Sequence, residues 1–138
     1  MTTLTIEEIL FMHYNLILRL QGMSGTFRLL HPGHLEAAVT KVNQTVGGHE
    51  VFAHCAEKAA ALAEAIIRTH PFQDGNKRVG ITAGCVTMLI NRYPLDMDDE
   101  SVYEAAMSVA DGRWDFAQLS EWFETCTKRG FKERDNDG

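Results

Sequence analysis

His70-Pro71-Phe72-Gln73-Asp74-Gly75-Asn76-Lys77-Arg78 separates the two most apolar stretches of the chain, and the reading of the fold starts from it. Pro71 cannot continue a helix and restricts the residue before it, so the upstream segment should leave its helix at His70. That segment, from about Val51 to Thr69, is rich in Ala and carries Leu62, Ile66 and Ile67. Alanine favours helix and lets neighbouring helices approach closely. A helix apolar on most sides belongs at the centre of a bundle, with Glu57 and Lys58 marking a narrow polar strip. Downstream, a second apolar helix should start near Asn76, carry Val79, Ile81, Thr82, Cys85, Val86, Met88, Leu89 and Ile90, and end near Asn91-Arg92. Cys85 reads as a small core residue.

The nine residues between these helices have the inventory of phosphate chemistry. Asn76, Lys77 and Arg78 open a helix, so unpaired N–H groups and two cations can converge on an anion there. Gly75 removes a side chain where phosphate must approach the backbone. Asp74 can hold Mg²⁺ bridging two phosphates, and His70 can take a proton from an attacking hydroxyl. Charge pattern alone supports an ordinary reading equally well: a polar connector, with Asp74 as a cap and Lys77-Arg78 as surface charge.

Moving outward, Thr5-Ile6-Glu7-Glu8 reads as a capping box. Ile6, Ile9, Leu10, His13, Leu16, Ile17 and Leu20 then recur at helical spacing, predicting an amphipathic helix over 6–20 with His13 as a hydrogen-bonded core histidine. Gly22 to Leu30 breaks that pattern and suggests an extended segment or small hairpin. Pro32 suits the first turn of a helix bearing Leu35, Ala38, Val39 and Val42, which Gly47-Gly48 should end. His31 and His34 lie one turn apart but lack a third ligand at a supporting spacing, so both are expected to face solvent. The same holds for a metal at His49, His54 or Cys55. Asp98 is a candidate N-cap for a helix over roughly 99–109. Asp115 with Gln118 forms a second capping box ahead of Phe116, Leu119, Trp122 and Phe123. Lys128, Arg129 and Gly130 should close that helix, leaving a polar tail over 130–138. The acidic run Asp96, Asp98, Asp99, Glu100 lacks the ligand alternation of a calcium loop and reads as a solvated helix start.

The 138 residues fit one domain, 1–138, with its core over about 4–125. A net charge of −6 argues against non-specific nucleic-acid binding. Three widely spaced cysteines argue against a disulfide framework and for a reducing cytoplasm. No apolar run reaches the length of a membrane span, and Glu7 and Glu8 do not suit a signal peptide. The fold class expected is all-α: a bundle of about six helices with a small extended flap or hairpin.

His70 to Arg78 also resembles the signature of the Fic/Doc family, His-Pro-Phe-x-Asp/Glu-Gly-Asn-Gly/Lys-Arg, at every specified position. Glu57 to Leu62, followed by Ile67 to His70, resembles the helix entering that motif in Doc, or death-on-curing, toxins. The resemblance implies His70 as the base, Asp74 as the Mg²⁺ ligand on ATP, Gly75, Asn76 and Lys77 as an anion hole, and Arg78 on phosphate. It places a target-docking flap over Gly22–Leu30, with Thr26, Phe27 and Arg28 as contacts. The chain departs from Doc-like chains in having Arg28-Leu29-Leu30-His31-Pro32 in place of their compact Arg-Asp turn.

Lys77 matters most for the reaction. Fic-type adenylyl transferases usually carry Gly there and Doc-type toxins carry Lys, which implies an inverted nucleotide presenting its γ-phosphate. The implied function is a kinase acting on a Thr/Ser hydroxyl, the Doc precedent being translation elongation factor Tu. The alternatives are AMP transfer to a protein hydroxyl and a non-catalytic nucleotide- or partner-binding module. The family's inhibitory Ser/Thr-x-x-x-Glu-Gly/Asn is matched only partly by Thr3–Glu8 and Ser120–Thr125. A separate antitoxin supplying the block in trans is therefore expected, with no nucleic-acid or membrane partner.

Overall fold

The computed structural model describes residues 1–19 and 27–136. Within them run six helices and one small hairpin: α1 (Ile6–Arg19), α2 (Pro32–Val42), β1 (Thr45–Val46), β2 (His49–Glu50), α3 (Cys55–Thr69), α4 (Asn76–Ile90), α5 (Asp99–Ala110) and α6 (Phe116–Asn136). The fold is all-α, as the apolar periodicity predicts.

The central element is α3. Its Ala56, Ala59, Ala60, Ala63 and Ile67 pack into one apolar cluster with α4, α5 and α6. Its Ala61, Leu62 and Ile66 pack into a second with α1, α2 and the other side of α4. Two glycines of α4 bring its backbone onto α3. A Cβ at Gly80 would stand 2.7 Å from Cγ1 of Ile67 and 3.1 Å from the Ala63 carbonyl oxygen. One at Gly84 would stand 2.5 Å from Cζ of Phe123 and 3.1 Å from the Ala59 carbonyl oxygen. As the number rises in α4 it falls in α3, so the two helices are antiparallel and touch backbone to backbone.

The predicted caps form. The Thr5 N–H donates to Glu8 and the Glu8 N–H to the Thr5 hydroxyl. Asp98 accepts from the Ser101 N–H at 2.7 Å. Asp115 and Gln118 exchange two bonds of 2.9 Å. All three cysteines are unpaired and buried, and burial, with Cys126 beside it, pushes the Cys85 thiol up to about 12. Among the described residues no helix is long and apolar enough to cross a membrane.

Four expectations need correction. Gly47-Gly48 does not end α2, which stops at Val42; it forms the turn of the hairpin, where both glycines take positive φ (59° and 81°). A two-residue turn of that kind requires positive φ at both positions. The central helix begins at Cys55, not near Val51, and Glu57 is its start signal, accepting from the His54 N–H at 3.0 Å. Gly130 does not stop α6, which continues to Asn136; a Cβ there would lie 2.6 Å from the Pro94 carbonyl oxygen, so this glycine admits a crossing backbone.

Lys58 is the fourth correction. It belongs to no polar strip: it is 1% exposed, and its ammonium donates to the Val42 carbonyl and the Glu50 carboxylate, both at 3.1 Å. This contact ties the end of α2 and the hairpin to the first turn of α3. A buried ammonium is tolerated only while it has partners. Glu50→Ala should therefore lower stability by about 1–3 kcal/mol. Lys58→Met, which keeps volume and removes the charge, should cost less than about 1.5 kcal/mol. Urea unfolding of the two variants checks that order.

Candidate active site

The motif is built from one helix end, one helix start and the five residues between them. His70 is the C-cap of α3, in the left-handed region (φ 51°, ψ 61°), with its N–H donating to the Ile66 carbonyl. That conformation costs a non-glycine residue about 1–2 kcal/mol. It turns the chain at the point where Pro71 forbids further helix, and leaves the imidazole exposed. His34, on α2, donates from Nδ1 to the Thr69 carbonyl at 2.9 Å and so steadies the helix end just before His70. His31 and His34 are both exposed, with rings 4.7 Å apart.

At the far side of the loop, Gly75 is the N-cap of α4 with φ 80°, and no side chain caps the helix. The first helical bond runs from the Val79 N–H to the Gly75 carbonyl. The N–H groups of Asn76, Lys77 and Arg78 thus have no helical acceptor, and the positive end of the helix dipole lies there. Lys77 and Arg78 are exposed and form no ion pair among the described residues. Cations and open N–H groups together are the chemistry that can hold an anion.

Backbone contacts hold the loop from both sides. The Asn76 side chain is buried: its Oδ1 accepts from the Phe72 N–H at 2.9 Å, and its Nδ2 donates to the Phe72 carbonyl at 2.8 Å. This amends the role expected for Asn76, whose backbone N–H alone remains for an anion. The neighbouring groups of the loop pair with the flap. The Leu30 and His31 N–H groups donate to the Pro71 carbonyl, and the Gln73 N–H to the Arg28 carbonyl, around a single antiparallel bridge between Leu29 and Phe72. The extended run thus pairs with the motif itself. Phe27 and Arg28 are brought beside the loop and are exposed; Thr26 lies outside the described residues.

His13 was legible as a core histidine, but its partner was not. The ring is fully buried, stacks on Phe72 at 3.8 Å, and donates from Nε2 to the Asp74 carbonyl at 2.8 Å. Burial lowers its pKa from the ordinary 6.5, against opposing pulls from the Asp74 carbonyl and the Asp74 charge. Because the folded value lies below the unfolded one, the unfolded chain takes up the proton first as pH falls. The neutral ring therefore contributes stability that is complete above about pH 6.5 and is lost as pH drops toward the folded value. Melting curves of the unaltered chain and His13→Phe over that range should show the steeper acid loss in the unaltered chain. Parallel curves would contradict it.

Mg²⁺ and a nucleotide phosphate fit this arrangement. Among the described residues no three His, Cys, Asp or Glu side chains gather into a metal cage. Mg²⁺ needs none, since it keeps waters and combines one or two carboxylates with substrate phosphates. Asp74, beside the uncapped helix start, offers that mode. A recess of about 660 Å³ between α5 and α6 does not compete for phosphate, because Asp98, Glu100, Glu104 and Glu121 make it acidic.

Fold and loop together define a class: an all-helical domain whose central helix pair presents a His-led loop ahead of an uncapped helix start. The Fic/DOC family model matches residues 3–88, and the chain belongs to the Fic/Doc family. Within that family it is similar to Toxin Doc of Mycolicibacterium smegmatis, with 35% identity over 77 residues, or 56% of this chain and 59% of that protein. The match thus spans about three-fifths of that curated relative's length.

Proposed function

We propose that this chain is a Doc-like toxin that transfers a phosphoryl group from ATP to a Thr or Ser hydroxyl of a target protein. The observation that carries this reading is Lys77, a cation with no ion pair among the described residues, in the first turn of an uncapped helix and in the motif position where Doc-type chains have Lys. The similarity to Toxin Doc supports it.

In this mechanism the target hydroxyl oxygen attacks the γ-phosphorus and loses its proton to His70. The bond to the β–γ bridging oxygen breaks, and ADP leaves. Lys77, Arg78 and the open N–H groups of α4 hold the phosphates and balance their charge, acting by position and electrostatics. Asp74 would hold Mg²⁺, which supplies further neutralisation of the phosphates. The flap, fixed to the motif through Leu29 and Phe72, would align the target segment. The Doc precedent makes elongation factor Tu the proposed target, with translation inhibited and the cytoplasm as the place of action.

A separate antitoxin would supply the inhibitory segment. Of the two partial matches to that segment, the first has Glu8 where the family has Gly or Asn, and the second has Thr125 there, with its Glu124 beside Lys128 at 4.0 Å. Both observations favour inhibition in trans. Expression in a bacterial host tests the reading: the unaltered chain should slow growth, and His70→Ala should restore it. Equal growth with both would overturn it.

A further inference from the structure

We propose that His13, on α1, is a positioning residue for the Mg²⁺–phosphate end of the site, acting through the Asp74–Gly75 peptide. The inference rests on the function proposed above and deepens it. One ring of α1 meets three parts of the site. It donates to the Asp74 carbonyl at 2.8 Å, stacks on Phe72 at 3.8 Å, and lies 5.6 Å from the flap ring of Phe27. A carbonyl can only accept, so Nε2 carries the proton and the tautomer is fixed. Nδ1 is buried without a hydrogen-bond partner among the described residues, so the ring's one hydrogen bond there is to this carbonyl.

The geometry of the peptide bond gives the contact its consequence. In a trans peptide the N–H points opposite to the C=O. With the Asp74 carbonyl held on His13, the Gly75 N–H is directed away from α1, on the side opposite the imidazole. The same bond fixes the backbone from which the Asp74 carboxylate departs. Gly75 itself lies against α1: a Cβ built on it would be in ordinary contact, 3.5 Å from Ile17 and 3.6 Å from Nε2 of His13. A residue sixty-one positions away in sequence thus sets the direction of one anion donor and one metal-binding side chain.

Two variants separate positioning from packing. His13→Phe keeps a planar ring on Phe72 and removes the donor; His13→Gln keeps a donor at similar reach. Calorimetry of ATP binding at increasing Mg²⁺ should give a half-saturating Mg²⁺ concentration about tenfold or more higher in His13→Phe, the loss usual when a group holding a metal ligand is removed. His13→Gln should recover much of it. At saturating Mg²⁺ the maximal transfer rate of His13→Phe should stay within about threefold, because His70 is not displaced. Equal Mg²⁺ dependence in all three proteins, with only the melting temperature changed, overturns the inference and leaves the proposed function standing. Absence of Mg²⁺-dependent ATP binding by the unaltered chain overturns both.

Discussion

His70→Ala should lower transfer to the target hydroxyl by about 10²–10⁴-fold, the usual worth of a positioned general base. ATP binding should change little. His70 is the exposed C-cap of α3, and removing its imidazole breaks no hydrogen bond or ion pair among the described residues. Its left-handed backbone suits alanine slightly less than histidine, a difference small beside the expected loss of rate. The melting temperature should therefore hold while the rate collapses. A matched loss of rate and stability would mean that His70 acts structurally. The comparison needs only a melting curve, an ATP titration and an initial rate.

Asn76→Ala should produce the opposite signature, loss of stability and of site geometry together. Phe72 is 1% exposed, and both its N–H and its C=O depend on the Asn76 amide. Truncation leaves two buried polar groups without partners, at about 1–3 kcal/mol each, so a loss of about 2–6 kcal/mol is expected. Asn76→Asp should fall between, because a carboxylate accepts from the Phe72 N–H but cannot donate to its carbonyl. The loop carries the flap bridge at Leu29, so ATP affinity and target turnover should both suffer in the alanine variant. Urea unfolding and calorimetry on the same preparations check the order. An alanine variant as stable as the unaltered chain would refute the clamp.

Much of the fold was legible because local rules and tertiary packing agree in this chain. The alanine-rich stretch before His70 is the central helix, and Pro71 and Gly75 punctuate the loop where their chemistry demands. Capping residues at Thr5, Asp98 and Asp115 mark real helix starts. Legibility ended where a residue's role depends on something distant. Lys58 looked like surface charge because its acceptors, the Val42 carbonyl and Glu50, lie on other elements. Gly130 looked like a stop signal, and only the crossing of Pro94 shows why a glycine sits inside the helix. Gly47-Gly48 fits a helix stop or a hairpin turn equally well until its neighbours pair.

The site divides in the same way. The motif identifies which residues gather, since they are consecutive and the two flanking helices fix them. It does not say which side chains face the ligand and which serve the loop. Asn76 illustrates the difference: its N–H is left over at the helix start for the proposed anion site, while its amide belongs to the scaffold. His13 lay on a legible apolar stripe, yet its partner is a carbonyl sixty-one positions away. The flap was expected as an extended segment, and its described residues do extend, but they pair with the motif and not with a strand of their own.

The central claim concerns which phosphate faces His70, and one measurement tests it most directly. The purified chain is incubated with Mg²⁺, a bacterial lysate and ATP labelled at either the α or the γ position, with His70→Ala as control. Phosphoryl transfer predicts a protein band labelled from γ-labelled ATP alone and absent with His70→Ala. A band labelled only from α-labelled ATP would contradict the claim and assign AMP transfer to the same site.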